Sequence, residues 1–296
     1  MQANDPFAPG APRGVRILHA GPFRLALGAM PLLMGVVNVT PDSFSDGGRF
    51  LEPAAAIAHG VRLAAEGAAI LDLGAESTRP GAAPVPAAEQ LRRLLPVVRG
   101  LAGAVAVPLS IDTTSAAVAE ACLAAGATMV NDISGLTFDP RLAAVVAAAD
   151  AALVVMHCPA PPLVMQAQAV YRDVVAEVCA ALAAAVARAA AAGISRDRLL
   201  VDPGLGFGKT AEHNWEILRH LDAFEGLGWG RLVGASRKSF IGLATGAAGV
   251  AREVSARLEG SLAVAMWCAL AGVEVVRVHD VDATAQVLKI TEMLTS

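Results

Sequence analysis

The sequence predicts an α/β fold in which eight parallel strands alternate with helices and close into a single-domain (β/α)8 TIM barrel. Apolar runs of strand length recur eight times, a helical Ala- and Leu-rich pattern follows each run, and no long irregular insertion separates the units. The chain has 296 residues, and one barrel domain needs roughly 250. A doubly wound open sheet is the main alternative, but it rarely contains eight repeats this even.

Two segments precede the repeat. Residues 1–14 contain three prolines and little periodicity, which predicts a flexible tail. Val15–Leu27 alternates polar and apolar residues around Gly21 and Pro22, which predicts a short N-terminal hairpin. We therefore expect one domain over residues 15–296.

The barrel elements then follow in order. The strands are expected at Leu32–Val39, Ala69–Ala75, Val107–Ile111, Thr128–Ile133, Leu153–Met156, Leu199–Val201, Leu232–Ala235 and Val273–Val278. The helices are expected at Pro53–Glu66, Ala87–Leu101, Ser115–Ala125, Arg141–Ala149, Ala167–Ala192, His213–Leu221, Glu253–Ala271 and Val281–Leu294. Pro53 and Pro86 suit the first turns of helices, and Ser115 and Asp139 are candidate N-caps.

Composition and charge exclude several functional classes. The net charge is −4 and no Lys/Arg run exceeds Arg92–Arg93, which argues against nucleic-acid binding. Two apolar stretches, Val178–Ala192 and the one between Glu259 and Glu274, fall short of about 18 uninterrupted apolar residues, so we expect buried helices and no membrane span. The four cysteines are scattered without metal-ligand spacing, which predicts reduced thiols in a cytoplasmic protein.

Polar residues stand where each apolar run stops. They are Asn38, Glu76-Ser77-Thr78, Asp112, Asn131-Asp132, His157, Asp202, Ser236-Arg237-Lys238, and Arg277 with His279. A single Asp or Asn after a strand is often only a helix cap. In a parallel barrel, however, the carboxyl ends of all the strands meet at one rim, where barrel enzymes place their active sites. Eight polar endings therefore predict one shared site.

The residue types at this rim suggest two kinds of chemistry. One group has the donors and acceptors to bind a flat heterocycle, because a carboxylate can accept two parallel hydrogen bonds from an amino-pyrimidinone edge. Its members are Asp112, Asn131, Asp202 and Lys238. The other group, Asn38, Arg277 and His279, suits an anion, and the amide oxygen of Asn38 suits a hard cation such as Mg²⁺. The combination predicts substitution at a carbon that carries diphosphate.

Over residues 32–290 the sequence resembles the dihydropteroate synthase family, a group of pterin-binding barrel enzymes. Seven segments carry the resemblance, and the first two are long and specific. The segments are MGVVNVTPDSFSDGG from Met34, DLGAESTRPG from Asp72, SIDT from Ser110, NDISG from Asn131, DPGLGFGK from Asp202, GASRKS from Gly234 and RVHD from Arg277. Such a match implies a transferase that condenses a dihydropterin diphosphate with 4-aminobenzoate in folate biosynthesis.

The resemblance also implies roles for individual residues. Asp112, Asp202, Lys238 and Arg277 would be catalytic. The pterin would be held by Asp112, Asn131, Met156, Asp202, Lys238 and Arg277. The diphosphate would be held by Asn38, Thr78, Arg277 and His279, with Asn38 as a ligand of Mg²⁺. The 4-aminobenzoate site would comprise Thr78, Arg79, Pro80, Phe207 and Ser239. Asp42, Phe44 and Asp46 would lie on a loop that closes over the bound pterin.

The family further implies a dissociative mechanism and a homodimer. The reduced pterin can delocalise positive charge at its exocyclic methylene, so the C–O bond to diphosphate would break early. Preorganised charges would stabilise the ring cation and the departing anion. The partners would then be small-molecule substrates and a second copy of the chain.

One segment departs from the family pattern. After the fifth barrel strand the sequence reads MHCPAPPLVMQ over residues 156–166, with Cys158 and Ala160 where the family commonly has Met and Gly. The additional prolines should stiffen this loop.

Two rival functions share part of the pattern. A pterin-dependent methyltransferase would have no reason to keep the DSFSDGG loop, the Ser-Arg-Lys segment or the diphosphate residues. A non-catalytic pterin-binding relative should have lost some of them, and only the altered fifth-strand loop favours it. Lys238 as a Schiff-base lysine is a further alternative, and Pro203 breaks any P-loop interpretation of residues 204–209.

Overall fold

The computed structural model describes residues 15–28, 30–40, 53–247 and 249–296. The expected tail, residues 1–14, and the expected closing residues Asp42, Phe44 and Asp46 lie outside the described residues. The described chain forms ten strands and nine α-helices. The strands are β1 (Arg16–Ala20), β2 (Phe23–Leu27), β3 (Leu32–Asn38), β4 (Ile70–Gly74), β5 (Leu109–Asp112), β6 (Met129–Asp132), β7 (Ala152–Met156), β8 (Leu199–Asp202), β9 (Gly230–Val233) and β10 (Val275–Val278). The helices are α1 (Pro53–Ala65), α2 (Ala87–Ala102), α3 (Ala116–Ala124), α4 (Leu142–Ala148), α5 (Val174–Ala191), α6 (Ala211–Arg219), α7 (Ser239–Thr245), α8 (Leu258–Leu270) and α9 (Val281–Thr295).

Strands β3 to β10 form a closed parallel barrel, as expected. Their order around the barrel is β10-β3-β4-β5-β6-β7-β8-β9, so each strand pairs with its neighbours in sequence and the last pairs with the first. The register brings strand ends together: Asp112 pairs with Asn131, and Met156 pairs with Asp202. Side chains at the carboxyl ends of neighbouring strands are therefore adjacent around one mouth.

The predicted hairpin is also present and closes the opposite end of the barrel. β1 and β2 pair antiparallel. Leu18 and Leu27 pack in one cluster with Ile70, Met129 and Val275, which lie at the beginnings of barrel strands. A larger apolar cluster fills the layer between the strands and the surrounding helices. Apolar packing thus covers the end of the barrel at the hairpin and the outer surface of the strands. The mouth, at the other end, is where the polar side chains lie.

Two helices differ from the expectation. α5 begins at Val174 rather than Ala167, because Asp173 caps it by accepting a hydrogen bond from Ala176 N at 3.0 Å. The preceding residues Met165–Gln168 form a separate 3₁₀ turn. The helix expected from Glu253 begins at Leu258, and the short helix α7 precedes it.

Of the two candidate caps, one is correct. The Ser115 side chain accepts from Val118 N at the start of α3. Asp139 does not cap the helix that follows it closely in sequence. Its Oδ2 accepts from Ala116 N at 3.0 Å and so satisfies the first N–H of α3 instead.

α5 is the described helix whose length and composition would allow it to cross a membrane. It is buried along one stripe, formed by Val174, Val178, Leu182, Ala185 and Ala189. That spacing of three and four residues is typical of a helix packed on one side. The helix that was expected to be buried is therefore covered along this face, and its other positions are half-buried or exposed.

Candidate functional site at the barrel mouth

The predicted site residues divide between two adjacent groups of strands. The candidate anion-binding residues come from three neighbours in the order β10-β3-β4. They are Arg277 in β10 with His279 just after it, Asn38 at the end of β3, and Thr78 after β4. The candidate heterocycle-binding residues come from the other five strands. They are Asp112 in β5, Asn131 in β6, Met156 in β7, Asp202 in β8 and Lys238 after β9.

Arg277 joins the two groups. Its Nε donates to Asp72 Oδ2 at 2.7 Å, and its Nη2 donates to Asp112 Oδ2 at 3.0 Å. Asn131 Nδ2 donates to the same Asp72 oxygen at 3.0 Å. These four side chains come from β4, β5, β6 and β10, so one hydrogen-bonded set spans half of the barrel mouth.

Asp112 is a buried carboxyl group with a strongly shifted pKa. Burial raises the pKa to about 7, the positive charge of Arg277 opposes the shift, and the nearby carboxylate of Asp72 adds to it. The group therefore changes charge near neutral pH. Perturbation of this kind in a polar cleft is typical of functional sites.

Asp202 and Lys238 interact electrostatically within the second group. Asp202 Oδ1 accepts from Gly204 N at 2.7 Å. Burial raises the pKa of Asp202, and the positive charge of Lys238 opposes that rise. Burial lowers the pKa of Lys238 to about 8, and Asp202 opposes that shift in turn. Lys238 Nζ also donates to Leu205 O and lies 4.4 Å from the ring centre of Phe207.

The loop after β8 is held from beneath by Lys209, a side chain that is only 4% exposed. Its Nζ donates to Gly204 O at 2.9 Å and Phe207 O at 3.0 Å, and it contacts His157 Nδ1 at 2.9 Å. Burial lowers its pKa to about 7. Gly204 has φ +69°, and a Cβ there would collide with His157 O, so only glycine fits this turn.

His279 lies beside the segment after β9. Its ring Nδ1 is 3.0 Å from Ser236 Oγ. Burial, together with the positive charges of Arg277 and Arg237, lowers its pKa to about 3. Arg237 has φ +60°, a conformation that few non-glycine residues adopt. Its side chain pairs with Asp280 at 2.5 Å, which holds this bend directly before Lys238.

The candidate 4-aminobenzoate residues are only partly brought together. Phe207 lies against Lys238, and Ser239 begins α7 directly after it. Arg79 and Pro80 are exposed on the loop after β4. Among the described residues no hydrogen bond joins Thr78, Arg79 or Pro80 to Phe207 or Ser239. The loops are linked elsewhere: Gly81 N donates to Pro162 O at 3.0 Å, and Gln166 Nε2 donates to Gly206 O at 3.3 Å.

The altered loop after β7 has a compact structure of its own. Cys158 packs with Ile133, Met156 and Met165 in a small apolar cluster. Its Sγ donates to Ala160 O at 2.9 Å. Met156, a candidate pterin contact, is therefore held at the mouth despite the departure from the family pattern.

The sequence did not single out two buried residues of this site. Asp72 is fully buried and Lys209 nearly so. The signal for Asp72 was present, because a carboxylate inside the otherwise apolar strand Ile70–Gly74 needs a partner. For Lys209 there was no such signal, since its partners are backbone carbonyl groups and a His nitrogen that sequence spacing does not reveal.

Comparisons with known proteins identify relatives of this chain. The family described as "Pterin binding enzyme" matches residues 34–279. The dihydropteroate synthase of Mycobacterium leprae is 48% identical over 260 residues, which cover 87% of this chain and 91% of that protein. The solved structure of Xanthomonas albilineans dihydropteroate synthase with 4-aminobenzoic acid is 43% identical, with a TM-score of 0.88, and the match covers 95% of this chain and 99% of that one. A second structure from X. albilineans, in complex with 7,8-dihydropteroate, is 42% identical with a TM-score of 0.83 over 95% and 99% of the two chains.

Proposed function

The chain belongs to the dihydropteroate synthase family of transferases, and from that membership we propose how its barrel mouth joins a pterin diphosphate to 4-aminobenzoate. One observation carries the assignment of roles. The anion-type side chains occupy the adjacent strands β10, β3 and β4, and the heterocycle-type side chains occupy the other five. A substrate with a bicyclic ring at one end and a diphosphate at the other matches this division.

The ring would lie over the five-strand group. Asp112 and Asp202 supply carboxylate acceptors, and Lys238 supplies a donor. The Oδ1 atom of Asn131 is buried without a hydrogen-bond partner among the described residues, so a ring N–H would satisfy it. The apolar side chain of Met156 would contact the face of the ring. A heterocycle with both donors and acceptors on its edge satisfies this set.

The diphosphate would lie over the three-strand group. Arg277 has N–H groups beyond those bonded to Asp72 and Asp112, and these would donate to phosphate oxygens. His279 and Thr78 would add contacts from either side of Asn38. The resulting charge stabilisation would favour departure of the anion as the C–O bond breaks.

Mg²⁺ fits the donor set at this group of strands. The residues that the structure describes contain no cluster of three or more His, Cys, Asp or Glu side chains that would hold a metal by itself. Mg²⁺ commonly binds through one or two protein oxygens together with substrate phosphates, and Asn38, half-buried at the end of β3, supplies such an oxygen. When bound there, the ion would neutralise part of the charge on the leaving diphosphate.

The nucleophile would enter from the side of Phe207. The amine of 4-aminobenzoate is neutral at pH 7, so the attack requires no dedicated general base. Phe207, Thr78, Arg79, Pro80 and Ser239 would shape this entrance. Asp202, next to the ring, would favour the cationic form of the pterin that the amine attacks. Catalytic work would then fall on Asp112, Asp202, Lys238 and Arg277.

Diphosphate release tests the proposal. With purified protein, the pterin diphosphate and Mg²⁺, we expect release to depend on 4-aminobenzoate. Lys238→Ala should fold normally but bind the pterin diphosphate weakly, because it removes a donor from the ring site. Lys289→Ala is the matched control, since Lys289 is 70% exposed and pairs with Glu292 on α9. Wild-type turnover in Lys238→Ala would remove this lysine from the site.

We further propose a cytoplasmic homodimer that uses the outer helices. An apolar groove of about 370 Å³ lies between α6, α7 and α8, with Trp215 and Trp267 in its wall. A second copy of the chain would cover this face, away from the mouth. A monomeric mass by light scattering at micromolar concentration contradicts this arrangement.

A further inference from the structure

Asp72 is a fully buried polar group at the mouth, and the family pattern gives it no role. Asp72 is the third residue of β4, between Leu71 and Leu73, and its side chain is 0% exposed. Burying a carboxylate is costly unless it is paired and hydrogen-bonded. Both of its bonds use one atom, Oδ2, which accepts from Arg277 Nε at 2.7 Å and from Asn131 Nδ2 at 3.0 Å.

This arrangement dictates the orientation of Asn131. The Oδ2 atom of Asp72 already accepts from Arg277, and it accepts from Asn131 as well, so the amide of Asn131 turns its NH₂ group towards Asp72. The carbonyl oxygen, Oδ1, is thereby the atom left without a partner. If Asp72 were absent, the amide could flip and present a donor where it now presents an acceptor.

The Oδ2 atom of Asp72 also sets the position of Arg277. A guanidinium group has five N–H donors in one plane, so fixing Nε on Asp72 and Nη2 on Asp112 fixes the whole plane. The remaining N–H groups then have defined directions before any substrate enters. One atom of Asp72 therefore orients a side chain from each half of the mouth.

We propose that Asp72 is a positioning residue that makes Asn131 an acceptor for the ring of the substrate and presets the plane of Arg277. This inference rests on the proposed function, because it takes the pterin diphosphate as the ligand of those two residues. Asp72 itself would touch no substrate, since its side chain is fully buried.

A second buried aspartate provides the matched control. Asp132 is also 0% exposed, but its hydrogen bonds are made to residues of the turn that directly follows it. Its Oδ1 accepts from Ser134 N at 2.9 Å and from Ser134 Oγ at 2.7 Å, and its Oδ2 accepts from Leu136 N. Replacing Asp132 should lower stability without altering the orientation of Asn131 or Arg277.

The experiment measures binding of the pterin diphosphate with Mg²⁺ by calorimetry, for the wild type, Asp72→Asn, Asp72→Val and Asp132→Asn. Asp72→Val removes both acceptor contacts, so we expect affinity to fall about tenfold or more. Asp72→Asn keeps one oxygen for both donors but loses the charge, so we expect a loss of about fivefold. Asp132→Asn removes a charge that acts on Asp112 but leaves the bonds of Asn131 and Arg277 in place, so its affinity should fall less than that of either Asp72 variant. At saturating pterin diphosphate, the KM for 4-aminobenzoate should not change in either Asp72 variant.

Coupling between positions provides an additional test. If Asp72 acts through Asn131, Asn131→Ala should weaken binding less in the Asp72→Asn background than in the wild type. Wild-type affinity in the folded Asp72→Asn variant, or an equal effect of Asn131→Ala in both backgrounds, overturns the inference. This holds even if Asp72→Val fails to fold. Failure of the wild type to bind the pterin diphosphate would instead contradict the proposed function.

Discussion

Arg277 bonds to two carboxylates, Asp72 and Asp112, that compete for one positive charge. The pKa of Asp112 is raised to about 7 because burial outweighs the attraction of the guanidinium. A buried pair of this kind contributes little net stability, because desolvation offsets the Coulomb attraction. The pair instead places the carboxyl group of Asp112 as an acceptor for the substrate, and the charge of this acceptor depends on pH.

A pH dependence follows for Asp112. Its folded-state pKa lies above the ordinary value, so the carboxyl group is mostly protonated below about pH 7 and mostly ionised above it. If the ionised form accepts hydrogen bonds from the pterin, kcat/KM for the pterin diphosphate should fall as the pH is lowered from 8 to 6. Asp112→Asn should have lower kcat/KM and lack this inflection. An identical inflection in that variant assigns the titration to another group.

Candidate residues at strand ends are easier to select from the sequence than candidate residues inside strands. Asp112, Asn131 and Asp202 were identified because each ends an apolar run, and the barrel geometry brings such ends together. Asp72 lies two residues before the end of β4, where the strand-end argument does not apply. The contacts of Arg277 were also not predictable, since a guanidinium can bind diphosphate or carboxylate and the sequence does not show which is nearer.

At the scale of elements, the loop after β8 is the segment on which the site depends most. Lys209 supports it from beneath through Gly204 O and Phe207 O, and Lys238 contacts it from above through Leu205 O. The loop carries Phe207, the expected wall of the 4-aminobenzoate site. Its shape therefore depends on a buried lysine side chain rather than on a strand or helix.

Lys209→Met should loosen this loop. The carbonyl groups of Gly204 and Phe207 would lose the donor that satisfies them, which costs about 1–3 kcal/mol. We expect a lower Tm and a raised KM for 4-aminobenzoate, with smaller effects on the pterin diphosphate. Calorimetric unfolding and steady-state kinetics measure both, with the exposed Lys289→Met as control. An unchanged KM in a destabilised variant would limit Lys209 to a structural role.

The ends of strands and helices were predicted well where apolar runs or turn residues mark them in the sequence. β3 to β8 and the N-terminal hairpin lie within a few residues of expectation, because apolar runs and turn residues mark them. The start of α5 was wrong by seven residues, since the segment from Ala167 is rich in helix formers and only the cap formed by Asp173 decides the boundary. α7 was not expected as a separate helix, because only seven residues form it.

At the scale of the whole molecule, the two ends of the barrel have different tasks. At the end opposite the mouth, Glu274 accepts from Arg231 Nε at 3.1 Å and from Arg16 Nη2 at 2.5 Å. Arg16 belongs to the hairpin and Arg231 to β9, so this carboxylate ties the hairpin to the barrel. Contacts at the hairpin end of the barrel therefore contribute to stability, whereas residues at the mouth bind and convert the substrates.

Glu274→Gln separates these two tasks. The substitution leaves Arg231, which is 2% exposed, as a buried charge without its carboxylate partner. We expect a loss of about 3–5 kcal/mol in the free energy of unfolding, measured by urea denaturation. At a temperature where the variant is folded, kcat/KM should equal that of the wild type. A selective loss of activity would show that the two ends are coupled.

The most direct test of the account is a crystal structure of the protein with the pterin diphosphate and Mg²⁺ bound. We expect the ring edge within hydrogen-bond distance of Asp112, Asn131, Asp202 and Lys238, and the diphosphate beside Asn38, Arg277 and His279. A pterin ring held by β10, β3 and β4, or a ligand bound outside the mouth, would contradict the proposed placement of the substrate.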